Sequence, residues 1–132
     1  MNKFSIAFVL AAFAIGSATP AAAASQDDIK HCQGTDTGGS RLVVISGCTA
    51  VIESGDWVGK ELSSVYLDRA NAYFDEGNYD KALHDFDKAV HLNPTNAAAL
   101  TDRGLAKIKT GDTAGGNADI AAAQALKAAA PK

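Results

Sequence analysis

The chain has few of the side chains that usually form catalytic or metal sites. It contains three histidines and two cysteines, and His84 and His91 are two turns apart on a predicted helix while His31 lies far upstream. There is no nucleophile elbow, phosphate-binding glycine loop or paired-histidine motif. A metal site of His31, Cys32 and Cys48 is the alternative to solvated histidines. We therefore expect no catalytic residue, no metal and no cofactor.

Clusters of basic residues are also missing. The formal net charge is −3, and the 12 lysines and arginines are scattered among 15 acidic residues. A surface that binds nucleic acid or an anionic membrane needs concentrated positive charge. Neither partner class is therefore expected.

A long apolar segment stands at the start of the chain. Residues 1–24 begin with a positive charge at Lys3, continue through FSIAFVLAAFAIG and end in the small residues SATPAAAA. This order is typical of a secretory signal peptide, here with cleavage after Ala24. The apolar stretch is shorter than the roughly 20 residues that span a bilayer, so a stable membrane anchor is not expected. The protein is predicted to be periplasmic or secreted.

The next two segments differ in composition. Residues 25–39, SQDDIKHCQGTDTGG, are polar and lack apolar periodicity, so they are predicted to form an irregular N-terminal arm. The β-branched residues of RLVVISGCTAVIES would suit a short buried strand, but helical spacing recurs within it. A helix is therefore favoured, with a loop after it, over residues 40–62. Its predicted apolar stripe consists of Leu42, Ile45, Cys48, Thr49 and Ile52.

Two helical hairpins are predicted further along the chain. KELSSVYLDRANAYFDEG ends at Gly77, which can adopt the left-handed turn that closes a helix. Asn78 then begins a second helix, which Pro94 terminates. A period of 34 residues aligns residues 63–96 with 97–130. The identical pairs are Asp68 and Asp102, Arg69 and Arg103, Ala72 and Ala106, Gly77 and Gly111, Asp85 and Asp119, Ala89 and Ala123, and Leu92 and Leu126.

Residues 63–96 resemble the tetratricopeptide repeat family. The residues at the family's spacing are Tyr66, Ala70, Tyr73, Gly77, Tyr79, Ala82, Phe86, Ala89 and Pro94. Residues 97–130 are a degenerate second unit, with Lys107, Thr113 and Gly116 in place of Tyr73, Tyr79 and Ala82. Two adjacent glycines near the start of its second helix predict fraying there. The helix in residues 40–62 matches the phase of a second helix, which makes that segment a partial repeat.

The resemblance implies an all-α fold in which about five helices form antiparallel hairpins, stacked as a short right-handed solenoid. The whole pattern also resembles small exported tetratricopeptide proteins of Gram-negative bacteria. In the family, another protein or peptide lies in a groove lined by the first helix of each hairpin. By register the groove residues are Ser64, Leu67, Asn71, Phe74, Asp75, Ala98, Thr101, Leu105, Ile108 and Lys109.

The partner and its chemistry are only partly constrained. Members that clamp a C-terminal carboxylate have lysines where this chain has Leu67 and Thr101, so an apolar or mixed peptide surface is expected. The second hypothesis is an auxiliary structural subunit or a homodimer that uses its end surfaces, with no ligand in the groove. An enzyme is the third. The alternative to a ligand-binding groove is that its apolar residues simply pack between repeats. A homo-oligomer is one way to cover an exposed end of the solenoid.

The two cysteines are predicted to pair. An exported chain meets an oxidising compartment, where an even number of cysteines favours disulfides. Cys48 has the helical phase of Phe86, so it should face the core and draw Cys32 over it. Two unpaired thiols are the alternative.

Two ion pairs are predicted from the repeat. Arg69 and Arg103 are each followed 16 residues later by an acid, Asp85 and Asp119. Because the pattern survives where the second unit has lost its aromatic residues, a structural role is expected, with each guanidinium gripping an aspartate within or between hairpins. Independent solvated charges are the alternative.

Overall fold

The structure, a computed structural model, describes residues 22–131. This part of the chain contains six α-helices and no strand, which confirms the all-α helical solenoid with one helix more than expected. Residues 1–21 of the predicted signal segment lie outside the described residues. Cleavage after Ala24 stays a prediction. None of the helices in residues 22–131 has the length and hydropathy to cross a membrane. The helices are α1 Gln26–Cys32, α2 Arg41–Ser54, α3 Gly59–Asp75, α4 Tyr79–Leu92, α5 Ala97–Lys109 and α6 Thr113–Ala129.

Helix α1 corrects the prediction of an irregular arm at residues 25–39. Ser25 and Asp28 form a capping box, in which the Asp28 amide donates to Ser25 Oγ at 3.1 Å and the Ser25 amide donates to Asp28 Oδ2 at 3.0 Å. This arrangement satisfies backbone donors that the first turn of a helix leaves free. The helix is only seven residues long, too short to show apolar periodicity. The cap and its packing on α2 stabilise it instead.

The six helices form three consecutive hairpins. Helix α1 packs on α2, α3 on α4 and α5 on α6, while α2 against α3 and α4 against α5 join one hairpin to the next. The first helices also touch in order, α1 with α3 and α3 with α5. Residues 40–62 are therefore not a partial repeat without a first helix. Their helix α2 completes a hairpin whose first helix, α1, has seven residues against 17 in α3 and 13 in α5.

The buried side of α2 agrees with the predicted stripe only in part, because Cys48 is buried and Ile52 packs against the core whereas Leu42 does not. Gly47, Cys48 and Val51 are its buried residues, whereas Leu42 is 67% exposed. The cause is the close approach of α1, because a Cβ atom at Gly47 would stand 2.6 Å from the Asp28 carbonyl oxygen. Cys48 and Val51 then form an apolar cluster with Cys32 and Val65, from α1 and α3. Because α1 packs so closely on α2, the face of α2 that carries Gly47 is the buried one.

The turns inside the second and third hairpins follow the repeat. Gly77 has φ +74° and Gly111 has φ +99°, in the region that glycine adopts without a steric penalty. Asn78 precedes α4 as predicted, but its side chain makes no capping hydrogen bond. Asn96 does cap α5, because its Oδ1 accepts from the amides of Ala98 and Ala99.

A glycine crossing joins α5 to α6. Gly104 and Gly116 are both buried and occupy the repeat positions of Ala70 and Ala82. A Cβ atom on Gly116 would lie 2.5 Å from the Gly104 carbonyl oxygen and 2.6 Å from Ile108 Cγ1. Helix α6 is continuous over Thr113–Ala129 and includes both adjacent glycines, and fraying at its start stays a prediction. Gly116 lets the two backbones approach closely.

Gly116→Ala should therefore destabilise the protein by about 2 kcal/mol despite the better helix propensity of alanine. The added methyl group must push α5 and α6 apart, since it meets backbone rather than a flexible side chain. Urea unfolding measures the effect. Gly115→Ala is the comparison, because the atoms nearest to its Cβ belong to the side chain of Asp112. The hydrogen bond lost when that cap moves, about 1 kcal/mol, is offset by the better helix propensity of alanine. Equal stability of the two variants would contradict the crossing.

Candidate interaction surface

The predicted groove residues lie on α3 and α5, which touch each other. The exposed ones are Ser64, Asp75, Ala98, Leu105 and Lys109. The partly buried ones are Leu67, Asn71, Phe74, Thr101 and Ile108. The surface is thus mixed in polarity, and only some of its side chains are free to contact another molecule.

Three of the four large apolar groove residues are used by the fold itself. Leu67 and Phe74 pack against the buried cluster of Ala70, Ala82, Phe86 and Ala106, and the Phe74 ring meets Tyr79 edge to face with centroids 5.2 Å apart. Ile108 faces Gly116 across the α5–α6 crossing. Leu105 differs from these, because it is 46% exposed. It is the apolar side chain of this surface that a partner can cover.

The polar groove residues also have internal neighbours. Asp75 Oδ2 accepts from Arg41 Nε at 2.8 Å in an exposed ion pair between α3 and α2. Thr101 Oγ1 donates to the Ala97 carbonyl at 2.8 Å. The Asn71 amide lies close enough to Asp102 to favour the ionised form of its carboxyl, which partly offsets the rise in pKa that burial causes. The face of α3 is therefore linked to α5 on one side and to α2 on the other.

Arg69 and Asp85 form the predicted fork between α3 and α4. Arg69 Nε donates to Asp85 Oδ2 at 2.7 Å and Nη2 donates to Oδ1 at 2.9 Å. The Asp85 side chain is 2% exposed. Burial tends to lower the pKa of Arg69, but the hydrogen bonds and charge of Asp85 raise it overall. The guanidinium also lies 5.7 Å from the Tyr66 ring centre, within the range of a cation–π contact.

Arg103 and Asp119 repeat the fork between α5 and α6. Both nitrogen–oxygen distances are 2.7 Å, and Lys107 Nζ adds a contact of 2.9 Å to Asp119 Oδ2. Burial works against the ionised carboxylate, yet these donors lower the pKa of Asp119. Lys107 stands where the first unit has Tyr73. The apparent degeneracy of the second unit thus replaces an aromatic contact by an ionic one.

Each arginine also reaches the preceding hairpin, which the sequence analysis missed. Arg69 Nη1 donates to Thr49 Oγ1 on α2 at 3.0 Å, and Arg103 Nη1 donates to Asp87 Oδ1 on α4 at 2.9 Å. The signal was present, because aligning Cys48 with Phe86 places Thr49 at the repeat position of Asp87. One arginine therefore ties three helices together.

Asp68 and Asp102 are an identical pair of the repeat for which the sequence predicts no role. Both lie on the side of their helix that faces the preceding first helix, and desolvation raises both pKa values. The nearby Asn71 amide and the charge of Lys127 offset part of the effect on the pKa of Asp102. Among the described residues no side chain donates to Asp68, and burial raises its pKa to about 6. The shared identity of the two aspartates was the available signal.

The stability of the protein should therefore increase as the pH falls from about 7.5 to about 5. The folded state holds the Asp68 proton more tightly than the unfolded chain, so folding is favoured as the pH passes below the folded pKa. Asp68→Asn should be more stable than the wild type at neutral pH by roughly 1 kcal/mol at most, because the carboxylate is still partly hydrated. Its melting temperature should also rise less on acidification. Thermal melts across this pH range measure both, and parallel curves for the two proteins would contradict the assignment.

Cys32 and Cys48 are joined in a disulfide between α1 and α2, with 2.08 Å between the sulfur atoms. Both cysteines are buried, and Ile29 and Trp57 pack around the same cluster. The bridge ties the end of the short helix α1 to the middle of α2, next to Val65 of α3. It is therefore part of the apolar core of the first hairpin.

Comparison with known proteins supports the repeat. Residues 63–96 match the family described as tetratricopeptide repeat, and the match covers the α3–α4 hairpin together with the start of the link to α5. No curated protein sequence matches the chain. Tetratricopeptide repeats generally serve as modules that bind other proteins. Residues 63–96 of this chain therefore form a tetratricopeptide repeat.

Proposed function

We propose that this protein binds a segment of another protein along the surface formed by α3 and α5. The observation that carries the proposal is the exposure of Leu105 at the open edge of that surface, where no first helix follows α5 among the described residues, with Thr101 and Lys109 one turn away on either side. An apolar anchor surrounded by polar side chains is the usual composition of a protein interface. The surface has Leu67 and Thr101 at the carboxylate-clamp positions, so its ligand is not a C-terminal carboxylate.

The module acts by binding alone in this proposal. The buried aspartates Asp85 and Asp119 are engaged in structural ion pairs with Arg69 and Arg103, and interaction is the general role of the family. The disulfide supports export, because disulfides persist in oxidising compartments. We therefore place the protein in the periplasm or outside the cell, with residues 1–24 as its signal peptide.

The test is capture of a partner by the purified protein, followed by binding measurements with variants. Leu105→Ser should weaken binding of that partner about tenfold, as expected for the loss of an apolar anchor. Leu42→Ser is the matched control, because Leu42 is also an exposed leucine but lies on α2. Phe74 is unsuitable for substitution, since it packs against the core.

Both variants should melt at the wild-type temperature. If Leu105→Ser binds the partner as tightly as the wild type does, the surface of α3 and α5 is not the binding site. The end surfaces of the solenoid, or a homodimer interface, would then be the better explanation.

A further inference from the structure

The short first helix leaves a notch in the side of the solenoid. Helix α1 ends at Cys32, beside Asp68, whereas α3 continues to Asp75. A cavity of about 210 Å³ occupies the space between the end of α1, the start of α2 and the second half of α3. We call it the α1 notch, and its walls include Gln33, Arg41, Val44, Asp68, Ala72 and Asp75.

The charges in the walls of the α1 notch do not balance. Asp68 and Asp75 lie two turns apart on α3 and carry two negative charges at neutral pH. Arg41 supplies one positive charge, and it is engaged by Asp75 Oδ2 at 2.8 Å and by the Gly39 carbonyl at 3.1 Å. The carboxylate of Asp68 is left as the uncompensated charge of the cavity.

The second unit shows what the notch lacks. Asp102 occupies the same repeat position as Asp68, and there the first helix of the preceding hairpin, α3, is long enough to place the Asn71 amide near the carboxylate, where it offsets part of the rise in the pKa of Asp102 that burial causes. Helix α1 has already ended at the corresponding place, where the turn residues Gln33 and Gly34 line the cavity instead. A half-buried carboxylate without a donor favours a ligand that brings one.

We propose that the α1 notch receives one positively charged side chain, an arginine or a lysine, from the protein segment that binds along α3 and α5. The proposal rests on the proposed function, and it adds that the partner is basic at one defined position. A guanidinium group fits best, because its planar fork can donate two parallel hydrogen bonds to the Asp68 carboxylate. The cavity opens beside Asp75, which belongs to the predicted groove, so a bound segment can reach both regions.

The experiment uses capped pentapeptides of the sequence Ala-Leu-Xaa-Leu-Ala and the full exported chain at neutral pH. The variable residue is arginine, or its uncharged analogue citrulline, or glutamate. Backbone amide chemical shifts report binding at individual residues. We expect saturable shifts at Gln33, Asp68 and Ala72 with the arginine peptide at millimolar concentrations. The citrulline peptide should bind at least about fivefold more weakly.

Asp68→Asn should abolish the difference between the arginine and citrulline peptides. Asp36→Asn is the matched control, because it removes the same charge from the exposed turn after α1 without touching the notch, and it should keep the preference. Equal binding of arginine and citrulline peptides by the wild type, or absence of saturable shifts at the notch residues, would overturn the proposal.

The captured partner separates this proposal from the one on which it rests. If Leu105→Ser weakens its binding and Asp68→Asn does not, the partner uses the surface of α3 and α5 but brings no basic side chain to the notch. If neither substitution weakens binding, both proposals fail. If both do, and Asp36→Asn does not, both are supported.

Discussion

Asp85→Asn should lower the free energy of unfolding by about 3 kcal/mol, because it leaves the charge of Arg69 half-buried without its counterion. The side chain of Asp85 is 2% exposed and accepts two hydrogen bonds from this guanidinium. Asparagine keeps the volume but loses the charge and one acceptor oxygen. Equilibrium unfolding in urea gives the difference directly.

A double-mutant cycle with Arg69→Met separates the pair from its surroundings. The two single variants should each be strongly destabilised, and the double variant should lose much less than their sum. Asp87→Asn serves as the control, because Asp87 also binds an arginine but its side chain is 63% exposed. Its cost should stay below about 1 kcal/mol. Additive losses at Arg69 and Asp85 would show that the fork contributes no coupling energy.

Removing the disulfide should cost about 3 kcal/mol on the chain-entropy account, since the bridge closes a loop between residues 16 apart in the sequence. Replacing both Cys32 and Cys48 by serine should lower the melting temperature and release α1 from α2. The apolar cluster that these cysteines share with Val51 and Val65 would then be open to water. Amide hydrogen exchange should show loss of protection in α1 before α3 and α4.

The control for this experiment is the wild-type protein reduced in denaturant and refolded in the presence of reductant. It should match the serine variant in melting temperature. If the oxidised protein, the reduced protein and the variant melt together, the bridge adds nothing to stability. The first hairpin would then depend on helix packing alone.

The ion pairs and the turns could be predicted because they recur. Arg69 and Arg103, each with an acid 16 residues later, mark the same contact twice, and a glycine at the same place in each hairpin marks the same turn. Helix α1 could not be predicted in this way. Its seven residues are held by a capping box and a disulfide, and neither produces a periodic pattern.

The exposure of the groove residues depended on neighbours that the repeat does not specify. Leu105 and Asn71 occupy the same repeat position, yet Asn71 lies against the following first helix, where it meets Asp102. No first helix follows α5 among the described residues, so Leu105 stays open. The sequence alone predicts that Gly116 destabilises α6. The structure shows why a glycine is needed there, because a Cβ atom at Gly116 would lie 2.5 Å from the Gly104 carbonyl oxygen of α5. Such distances between neighbouring helices arise from tertiary packing, and the sequence of a single helix does not reveal them.

The arginines that join three helices make the hairpins interdependent. In a solenoid, stability is a sum of terms within each repeat and terms between adjacent repeats. Arg69 and Arg103 contribute to both kinds at once, because the same guanidinium binds its own hairpin and the preceding one. Opening one hairpin therefore withdraws a contact from the next. This short array should behave as one cooperative folding unit, in which no repeat melts independently of its neighbour.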